Sequence, residues 1–299
     1  MASACGRMSL SFERGELPVT DAATGWPFAG LLGARRVRTV AFGPHPRQML
    51  DVYAPRAAQG LPVIVFFYGG RWKQGSRRQY ALLARRLAAM GAVVIVPDYR
   101  LYPQVRFPTF VEDGARCGGL GTAPCAPRWG GDPDRLYLMG HSAGAHIGAL
   151  LALDARYLAA HGRSPQALAG FIGLAGPYDF LPFQSEELAD TFGPAEHHEA
   201  SQPIHHVDGR NPPFLLLHGS KDKVVGPGNS KRLWRRIEAC GGRARMVFLA
   251  QANHVNILWG LLLPFPAHLA PIRREVASFV LDGGSMRLPA PPSDFVSLG

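Results

Sequence analysis

The amino-acid sequence predicts an α/β fold, with a mostly parallel central sheet and helices on both of its faces. Short, continuously apolar runs recur along the chain, and such runs are typical of strands that are covered on both faces. Segments with helical spacing lie between these runs, and strands that alternate with helices indicate a parallel sheet. The predicted buried strands are residues 63–67, 92–96, 136–139, 171–175, 214–218 and 245–249.

The first predicted elements are two strands, residues 38–42 and 48–53, on either side of a turn rich in glycine and proline. Two strands joined in this way indicate a hairpin, which we expect at the edge of the sheet. After the first buried strand, residues 80–90 place apolar side chains at helical spacing, and Gly91 follows as the residue that ends a helix.

One segment does not fit this series. An amphipathic helix is expected between Asp113 and Asp132, but three glycines and one proline interrupt residues 117–125. Glycine costs a helix about 1 kcal/mol and proline about 3 kcal/mol, so this composition should break it. Residues 117–127 read one nucleotide later can encode an ordinary helix. A local frameshift that is corrected just afterwards is therefore a hypothesis, which resequencing of the coding DNA tests.

The net charge of +10 raises the question of a nucleic-acid partner. The basic residues are mostly arginines, ten of which form five separate adjacent pairs, and they form no single tract with interleaved aromatic residues. This distribution favours a solvated basic surface over a nucleic-acid site. The sequence gives no indication of the oligomeric state.

Cysteine usage and hydropathy bear on the compartment. No pair of cysteines has the C-x-x-C spacing, so free thiols in a reducing cytoplasm are expected. Residues 1–14 lack the apolar core of a secretory signal, and the longest apolar stretch, 257–270, is interrupted by prolines. The sequence therefore predicts no integral membrane segment and a cytoplasmic location. The cysteines are Cys5, Cys117, Cys125 and Cys240.

A nucleophile motif lies between the predicted strand 136–139 and a helix predicted over 145–153. The motif is Gly140-His141-Ser142-Ala143-Gly144. A G-x-S-x-G pattern in this strand–turn–helix context lifts the serine hydroxyl above the sheet. The backbone N–H of Ala143, at the start of the helix, points at any oxyanion that forms. Ser142 is therefore the predicted nucleophile.

A serine hydroxyl needs a base to remove its proton, and this kind of nucleophile turn requires the chain order serine, acid, histidine. Asp222 follows the strand 214–218, and His254 follows the strand 245–249. Both lie at carboxyl ends of strands, where ligands bind in open α/β sheets. They are the predicted acid and base. The weaker alternatives are Asp179, Asp208, His197, His198, His205, His206 and His218, the last of which is expected to be structural.

The second half of an oxyanion hole is expected after the strand 63–67, where Gly69 and Gly70 let the backbone approach a substrate closely. The predicted donors are the N–H of Gly70 and that of a neighbour, Gly69 or Arg71; the sequence does not decide between them. One such donor is worth about 3–4 kcal/mol of transition-state stabilisation.

One domain is predicted over residues 37–285, because a chain of 299 residues with 47% hydrophobic residues can bury a single large core. Residues 1–36 are predicted as an N-terminal extension that is partly disordered, and residues 286–299 as a C-terminal tail. Residues 178–213 have weak periodicity and many polar side chains, and they are predicted as a short cap over the active site.

These residues resemble the esterase/lipase branch of the α/β-hydrolases, the hormone-sensitive-lipase-like and arylformamidase-like carboxylesterases. The similarity runs from about residue 50 to residue 280. In that branch a His-Gly-Gly-x-Trp or His-Gly-Gly-Gly motif precedes the nucleophile turn. The matching motifs are Leu50-Asp51-Val52-Tyr53, Tyr68-Gly69-Gly70-Arg71-Trp72, Pro97-Asp98-Tyr99-Arg100-Leu101, Phe107-Pro108, Gly130-Gly131-Asp132-Pro133, the nucleophile motif, His218-Gly219-x-x-Asp222 and His254.

The resemblance implies the α/β-hydrolase fold and hydrolysis of small carboxylic esters through an acyl-enzyme, without a metal or an organic cofactor. Two alternatives stay open: an amide hydrolase such as an arylformamidase, and a binding protein without turnover. Tyr68 departs from the family pattern because it replaces the usual histidine, so we expect altered loop packing with the oxyanion hole retained. Arg100 is expected to pair with a carboxylate, either Asp113 or Asp132.

Overall fold

The computed structural model describes residues 34–117, 126–263 and 267–284. Its strands are β1 (Arg35–Ala41), β2 (Met49–Ala54), β3 (Leu61–Phe67), β4 (Val93–Pro97), β5 (Gly131–His141), β6 (Gly170–Leu174), β7 (Phe214–Gly219) and β8 (Ala244–Leu249). Its α-helices are α1 (Ala81–Ala89), α2 (Thr109–Arg116), α3 (Ala143–Leu153), α4 (Ala155–Ala159), α5 (Glu186–Thr191), α6 (Gly228–Ala239), α7 (Trp259–Leu262) and α8 (Ala270–Leu281).

All these strands belong to one sheet, in the order β1-β2-β4-β3-β5-β6-β7-β8. The hairpin of β1 and β2 forms one edge, and β2 also runs antiparallel to β4. Every other neighbouring pair is parallel. The predicted α/β fold, its mostly parallel sheet and the edge hairpin are confirmed.

The core lies against both faces of the parallel strands. Strands β4, β6 and β7 are buried at every residue, as their continuous apolar runs predict. Helix α3 is also buried throughout and packs against β5 and β6. The residue that precedes α3 is Ser142, so the nucleophile turn rests on the most deeply buried helix of the fold.

Strand β5 begins earlier than the sequence predicts, at residue 131 instead of 136. Its first part contains Asp132, Pro133 and Asp134, which are only partly covered or exposed. Because hydrophobic periodicity detects only the buried part of a strand, the prediction found residues 136–139 and missed the rest.

Residues 178–213, the predicted cap, contain α5 and two 3₁₀ turns, Ala195–His197 and Pro203–His206. The aromatic side chains of this segment pack on Trp72, in the loop after β3. The function of the segment as a cap stays a prediction, as do the boundaries of the single domain.

Several sequence predictions fall on residues that the structure does not describe: nearly all of the extension 1–36, the tail 286–299, and residues 118–125 with the frameshift hypothesis. Helix α2 ends just before this last segment, and a 3₁₀ helix, Ala126–Trp129, follows it. Cys117 and Cys240 have free thiols. No helix in the described ranges is long and apolar enough to cross a membrane.

Candidate active site

Ser142 occupies a strained turn between β5 and α3, with φ 54° and ψ −122°. The turn requires glycine on both sides. A Cβ on Gly140 would lie 2.3 Å from the carbonyl oxygen of Gly144, and a Cβ on Gly144 would lie 2.1 Å from that of Phe67. The flanking glycines therefore allow the backbone contacts that hold the serine at the carboxyl edge of the sheet.

The structure brings the three predicted side chains together in one chain of hydrogen bonds. The Nε2 atom of His254 lies 2.9 Å from Oγ of Ser142, and its Nδ1 lies 2.8 Å from Oδ2 of Asp222. The loops after β5, β7 and β8 supply these groups, and they meet at the same edge because the three strands run parallel. With Nδ1 donating to the carboxylate, Nε2 is free to accept the serine proton.

The Asp222 carboxylate is almost fully buried, and other groups besides His254 donate hydrogen bonds to it. Its Oδ1 accepts hydrogen bonds from the backbone N–H groups of Val224 and Val225, each at 2.9 Å. Burial raises the pKa of Asp222, but hydrogen bonds from His218, from His254 and from the Val225 N–H outweigh burial and hold the pKa well below its usual range. Asp222 is therefore ionised wherever the protein is folded near neutral pH.

His218 was expected to be structural, yet it contacts the predicted acid. Its Nε2 lies 2.9 Å from the carbonyl oxygen of Val225 and 3.3 Å from Oδ2 of Asp222, so Nε2 carries the proton. Its Nδ1 then accepts from the hydroxyl of Ser230 at 2.7 Å. The sequence could have indicated this contact, because His218 precedes Asp222 by four residues across the turn after β7.

His141, within the nucleophile motif, is a second histidine whose function the sequence analysis did not predict. Its Nε2 donates to the backbone carbonyl of His254 at 2.8 Å. Burial, reinforced by the nearby His254, lowers the pKa of His141 to about 4. The ring is therefore a neutral link between the nucleophile turn and the loop that carries His254.

The two glycines after β3 lie against the nucleophile. A Cβ on Gly69 would lie 3.1 Å from Cβ of Ser142, and Gly70 has a φ of 139° that favours glycine. Burial raises the pKa of Tyr80, and a hydrogen bond from the Gly69 N–H to its hydroxyl opposes the rise. Within the described residues, the N–H groups of Gly70, Arg71 and Ala143 have no acceptor.

Trp72 anchors the loop that contains these glycines. Its φ of 57° turns its side chain into the interior, and its Nε1 donates to Nδ1 of the buried His146 at 3.3 Å. The Nε2 of His146 in turn donates to the carbonyl of Ser201 at 2.8 Å. The indole also packs against Phe180 and Phe192, with ring centroids 5.9 and 4.8 Å away. These contacts join the loop to α3 and to residues 178–213.

Tyr68, the departure from the family pattern, is buried beneath the same loop. Its hydroxyl donates to Asp98 at 2.9 Å and accepts from Arg47 at 2.8 Å. Arg47 also donates to the carbonyl of Gly75, at 2.8 Å, on the far side of the loop. The tyrosine is therefore a packing and hydrogen-bonding group that lies behind the two glycines.

The remaining candidates lie elsewhere. Asp179 pairs with Arg232, and Asp208 pairs with Arg210. Arg100 pairs with Asp113, at 2.7 Å, which decides between the two expected carboxylates. In the described part of the chain, no hydrogen bond or ion pair joins Ser142 to the four cap histidines, which are His197, His198, His205 and His206. No cluster of metal-binding side chains occurs among the described residues.

A cavity of about 440 Å³ opens above the nucleophile. It is lined by both glycines of the loop, by Ser142 and His254, and by exposed Val224 and Val255. No acidic side chain lines it. The arrangement can therefore bind an acyl group at a serine that has a base on one side and unpaired N–H donors on the other.

Comparisons with known proteins identify the family of the chain. Residues 50–237 match the family BD-FAE. Esterase LipC of Mycobacterium tuberculosis is 31% identical in an alignment of length 263 that covers 78% of this chain and 65% of LipC. A probable isoprenylcysteine alpha-carbonyl methylesterase, ICMEL1 of Arabidopsis thaliana, is 29% identical over 74% of this chain, which spans about half of that relative, 51%.

Among solved structures, the apo form of Thermogutta terrifontis esterase 2 is similar in fold, with a TM-score of 0.71 and 23% identity. The similarity covers 83% of this chain and 94% of that one. The family match extends from β2 to α6 and includes the nucleophile turn, the loop after β3 and Asp222. The chain belongs to the BD-FAE family and has the α/β-hydrolase fold.

Proposed function

We propose that this chain hydrolyses carboxylic esters through a covalent acyl-enzyme intermediate. The observation that carries the proposal is the unbroken series of hydrogen bonds from Ser142 through His254 to Asp222, at the floor of an open cavity. The names of the relatives, esterases and methylesterases, support the same class of reaction.

In the first step, Oγ of Ser142 attacks the ester carbonyl carbon while Nε2 of His254 takes the hydroxyl proton. Asp222 stabilises the imidazolium that forms, because its carboxylate accepts the Nδ1 proton of His254 and stays ionised. The N–H groups of Gly70 and Ala143 donate to the oxyanion of the tetrahedral intermediate. His254 then gives its proton to the departing alcohol, and the acyl group stays on Ser142.

In the second step, water repeats the sequence. His254 removes a proton from the water as its oxygen attacks the acyl carbon, and the second tetrahedral intermediate collapses to release the acid. Ser142 recovers its proton from His254. No step requires a metal or an organic cofactor, because the residues named above supply every protein group that takes part.

Replacement of Ser142 by alanine tests the proposal. Turnover of p-nitrophenyl acetate should fall by about 10⁴-fold or more, because the nucleophile and base act as a unit. A fluorophosphonate probe should label the native chain at Ser142 and leave Ser142→Ala unlabelled. A native chain that is neither labelled nor active would instead support a binding protein without turnover, and retained activity in the variant would refute the assignment of the nucleophile.

The ester preference needs a separate comparison, because the same machinery can cleave an amide. Rates on acetyl esters and on N-formylkynurenine distinguish a carboxylesterase from an arylformamidase. A small-molecule ester as substrate and a cytoplasmic location are part of this proposal. A series of p-nitrophenyl esters of increasing acyl length would define the acyl pocket.

A further inference from the structure

The rim of the active-site cavity exposes apolar side chains. Val224 and Val255 line the cavity on either side of His254, and they are 66% and 58% exposed. Trp259 and Leu263, which are 49% and 42% exposed, follow Val255 on α7 and just beyond it. Exposed apolar residues that occur singly need no explanation, but a group around a cavity indicates an interaction site.

Leu82 extends this rim across the neighbouring helix. It lies in the first turn of α1, two residues after Tyr80, which lines the cavity. Its side chain is 56% exposed, and α1 packs against α7, the helix of Trp259. We call Leu82, Val224, Val255, Trp259 and Leu263 the apolar rim; together they are five of the eight large hydrophobic residues that the described chain exposes.

Basic side chains flank the apolar rim. Arg71 and Arg78 are exposed on the loop after β3, and Lys221 and Lys223 are exposed on the loop of Val224. None of these four forms an ion pair within 4 Å in the described part of the chain, and the carboxylate that Arg71 interacts with at longer range, Glu187, is paired with Lys73. The segments 69–82, 221–225 and 251–263 contain one acidic residue, Asp222, and it is buried.

We propose that the apolar rim and its flanking cations form a docking surface for an anionic lipid layer. Apolar side chains that insert among acyl chains, next to cations that meet anionic headgroups, are the two attractions that hold a protein on a membrane surface. The net charge of +10 acts in the same direction. Docking itself goes beyond the proposed function. Its consequence, that the cavity would be presented to esters held in the layer, rests on the proposed function.

The charge pattern favours a lipid layer over a second copy of the chain. In a symmetric dimer built on this rim, the unpaired cations of one copy would meet those of the other, which is unfavourable. An anionic layer, by contrast, satisfies the cations and buries the apolar rim at once. The two attractions also make separate predictions, since salt screens the attraction between the cations and the anionic headgroups and leaves the insertion of the apolar side chains.

Flotation of the full chain with vesicles tests the proposal. Vesicles of equal parts phosphatidylglycerol and phosphatidylcholine should carry the chain upward, and pure phosphatidylcholine vesicles should bind it at least 10-fold more weakly. The double variant Leu82→Ser, Trp259→Ser should lose at least 10-fold in affinity. The matched control is Leu281→Ser: Leu281 is 48% exposed, close to the 49% of Trp259, but it ends α8 near the opposite edge of the sheet.

A second readout reports insertion directly. The tryptophan emission of the native chain should shift to shorter wavelength on anionic vesicles, and Trp259→Phe should remove the shift. Hydrolysis of p-nitrophenyl acetate without vesicles is measured in parallel. A chain that hydrolyses the ester but does not float overturns the docking surface alone, and a chain that floats but is inactive overturns the proposed function alone.

Three further results would overturn the docking surface: equal binding to both kinds of vesicle, binding that Leu82→Ser, Trp259→Ser does not weaken, and absence of the emission shift. Light scattering addresses the competing occupant. A dimer that the same double variant dissociates, without any vesicle binding by the native chain, would assign the apolar rim to a second copy instead.

Discussion

The Nε2 of His218 lies 3.3 Å from Oδ2 of Asp222, the same carboxylate oxygen that accepts from His254. The Nε2 proton of His218 is shared between this oxygen and the carbonyl oxygen of Val225, which is closer at 2.9 Å. His218 is completely buried, and its Nδ1 accepts a hydrogen bond from Ser230, so the ring cannot rotate to direct its Nε2 proton elsewhere. The predicted acid is therefore oriented by a donor that never meets the substrate.

We predict that His218→Phe lowers kcat about 10-fold, because the loss of a hydrogen bond worth about 1 kcal/mol leaves Asp222 less well oriented and less able to stabilise the imidazolium. KM should change little. The pKa of Asp222 should rise towards its usual range. Since a depressed carboxylate pKa stabilises the fold above that range, the variant should be less stable near neutral pH, and its loss of stability in acid should be smaller and should end at a higher pH.

Ser230→Ala is the matched control, because it removes the neighbour of Nδ1 and keeps the Nε2 contact with Asp222. Its kcat should fall less than that of His218→Phe. Steady-state kinetics and urea unfolding between pH 3 and pH 7 measure both effects. Equal kcat values for the native chain and His218→Phe would contradict an orienting role.

A second prediction concerns the close approach of Gly69 to the nucleophile. An added Cβ would lie 2.9 Å from Nδ1 of His141 and 3.1 Å from Cβ of Ser142, so the loop must shift away. The shift moves the Gly70 donor from the oxyanion, and the loss of one donor costs about 10²–10³ in kcat. We therefore expect Gly69→Ala to lower kcat by about that factor.

Gly226→Ala provides the comparison, because Gly226 lies on the loop after β7 and a Cβ there meets no atom within 4 Å. It should retain native kinetics. Circular dichroism checks that both variants fold. If Gly69→Ala kept native kcat, the loop after β3 would not supply an oxyanion donor.

The order of elements and the three proposed catalytic side chains could be predicted from the sequence. Apolar runs marked the buried strands, and Ser142, Asp222 and His254 each follow one of them in the required chain order. The structure brings these side chains within hydrogen-bonding distance, while their catalytic roles stay predictions. Strand β5 was predicted too short, because its first residues are polar and uncovered.

The supporting contacts could not be predicted, for a physical reason. His141 donates to a backbone carbonyl 113 residues away, and every residue has a carbonyl, so no side-chain pattern signals the bond. Trp72 and His146 are 74 residues apart and meet only because α3 packs beneath the loop after β3. The tautomer of each histidine depends on such contacts, and sequence does not specify them.

A third prediction uses the contact between Trp72 and His146. Trp72→Phe keeps most of the aromatic packing but leaves Nδ1 of the buried His146 without its donor. An unsatisfied buried acceptor costs about 1–3 kcal/mol. We expect the free energy of unfolding to fall by that amount, and kcat to fall as well, because the loop that carries Gly70 loses its anchor.

Urea unfolding and steady-state kinetics measure the two effects of Trp72→Phe. Trp234→Phe serves as the control, since Trp234 is partly buried on α6, outside the loop. It should leave kcat unchanged. A Trp72→Phe chain with native kcat would indicate that the hydrogen bond stabilises the fold without positioning the oxyanion loop.

The fourth prediction concerns the two buried histidines. Burial is the main cause that lowers the pKa of His146 to about 4, from an ordinary value of 6.5, as it does for His141. Below pH 6.5 these two histidines become protonated in the unfolded chain but stay neutral in the folded chain, so acid favours unfolding. Each histidine should cost about 3 kcal/mol of stability between pH 6.5 and pH 4, with no further loss below.

His146→Gln isolates one of these contributions, because glutamine does not titrate and its amide can still donate to the carbonyl of Ser201. The variant should be less stable than the native chain at pH 7 but should lose about 3 kcal/mol less between pH 6.5 and pH 4, the share of His141 remaining. Urea unfolding at half-unit pH steps gives both slopes, and parallel curves for His146→Gln and the native chain would mean that His146 is protonated in the folded state.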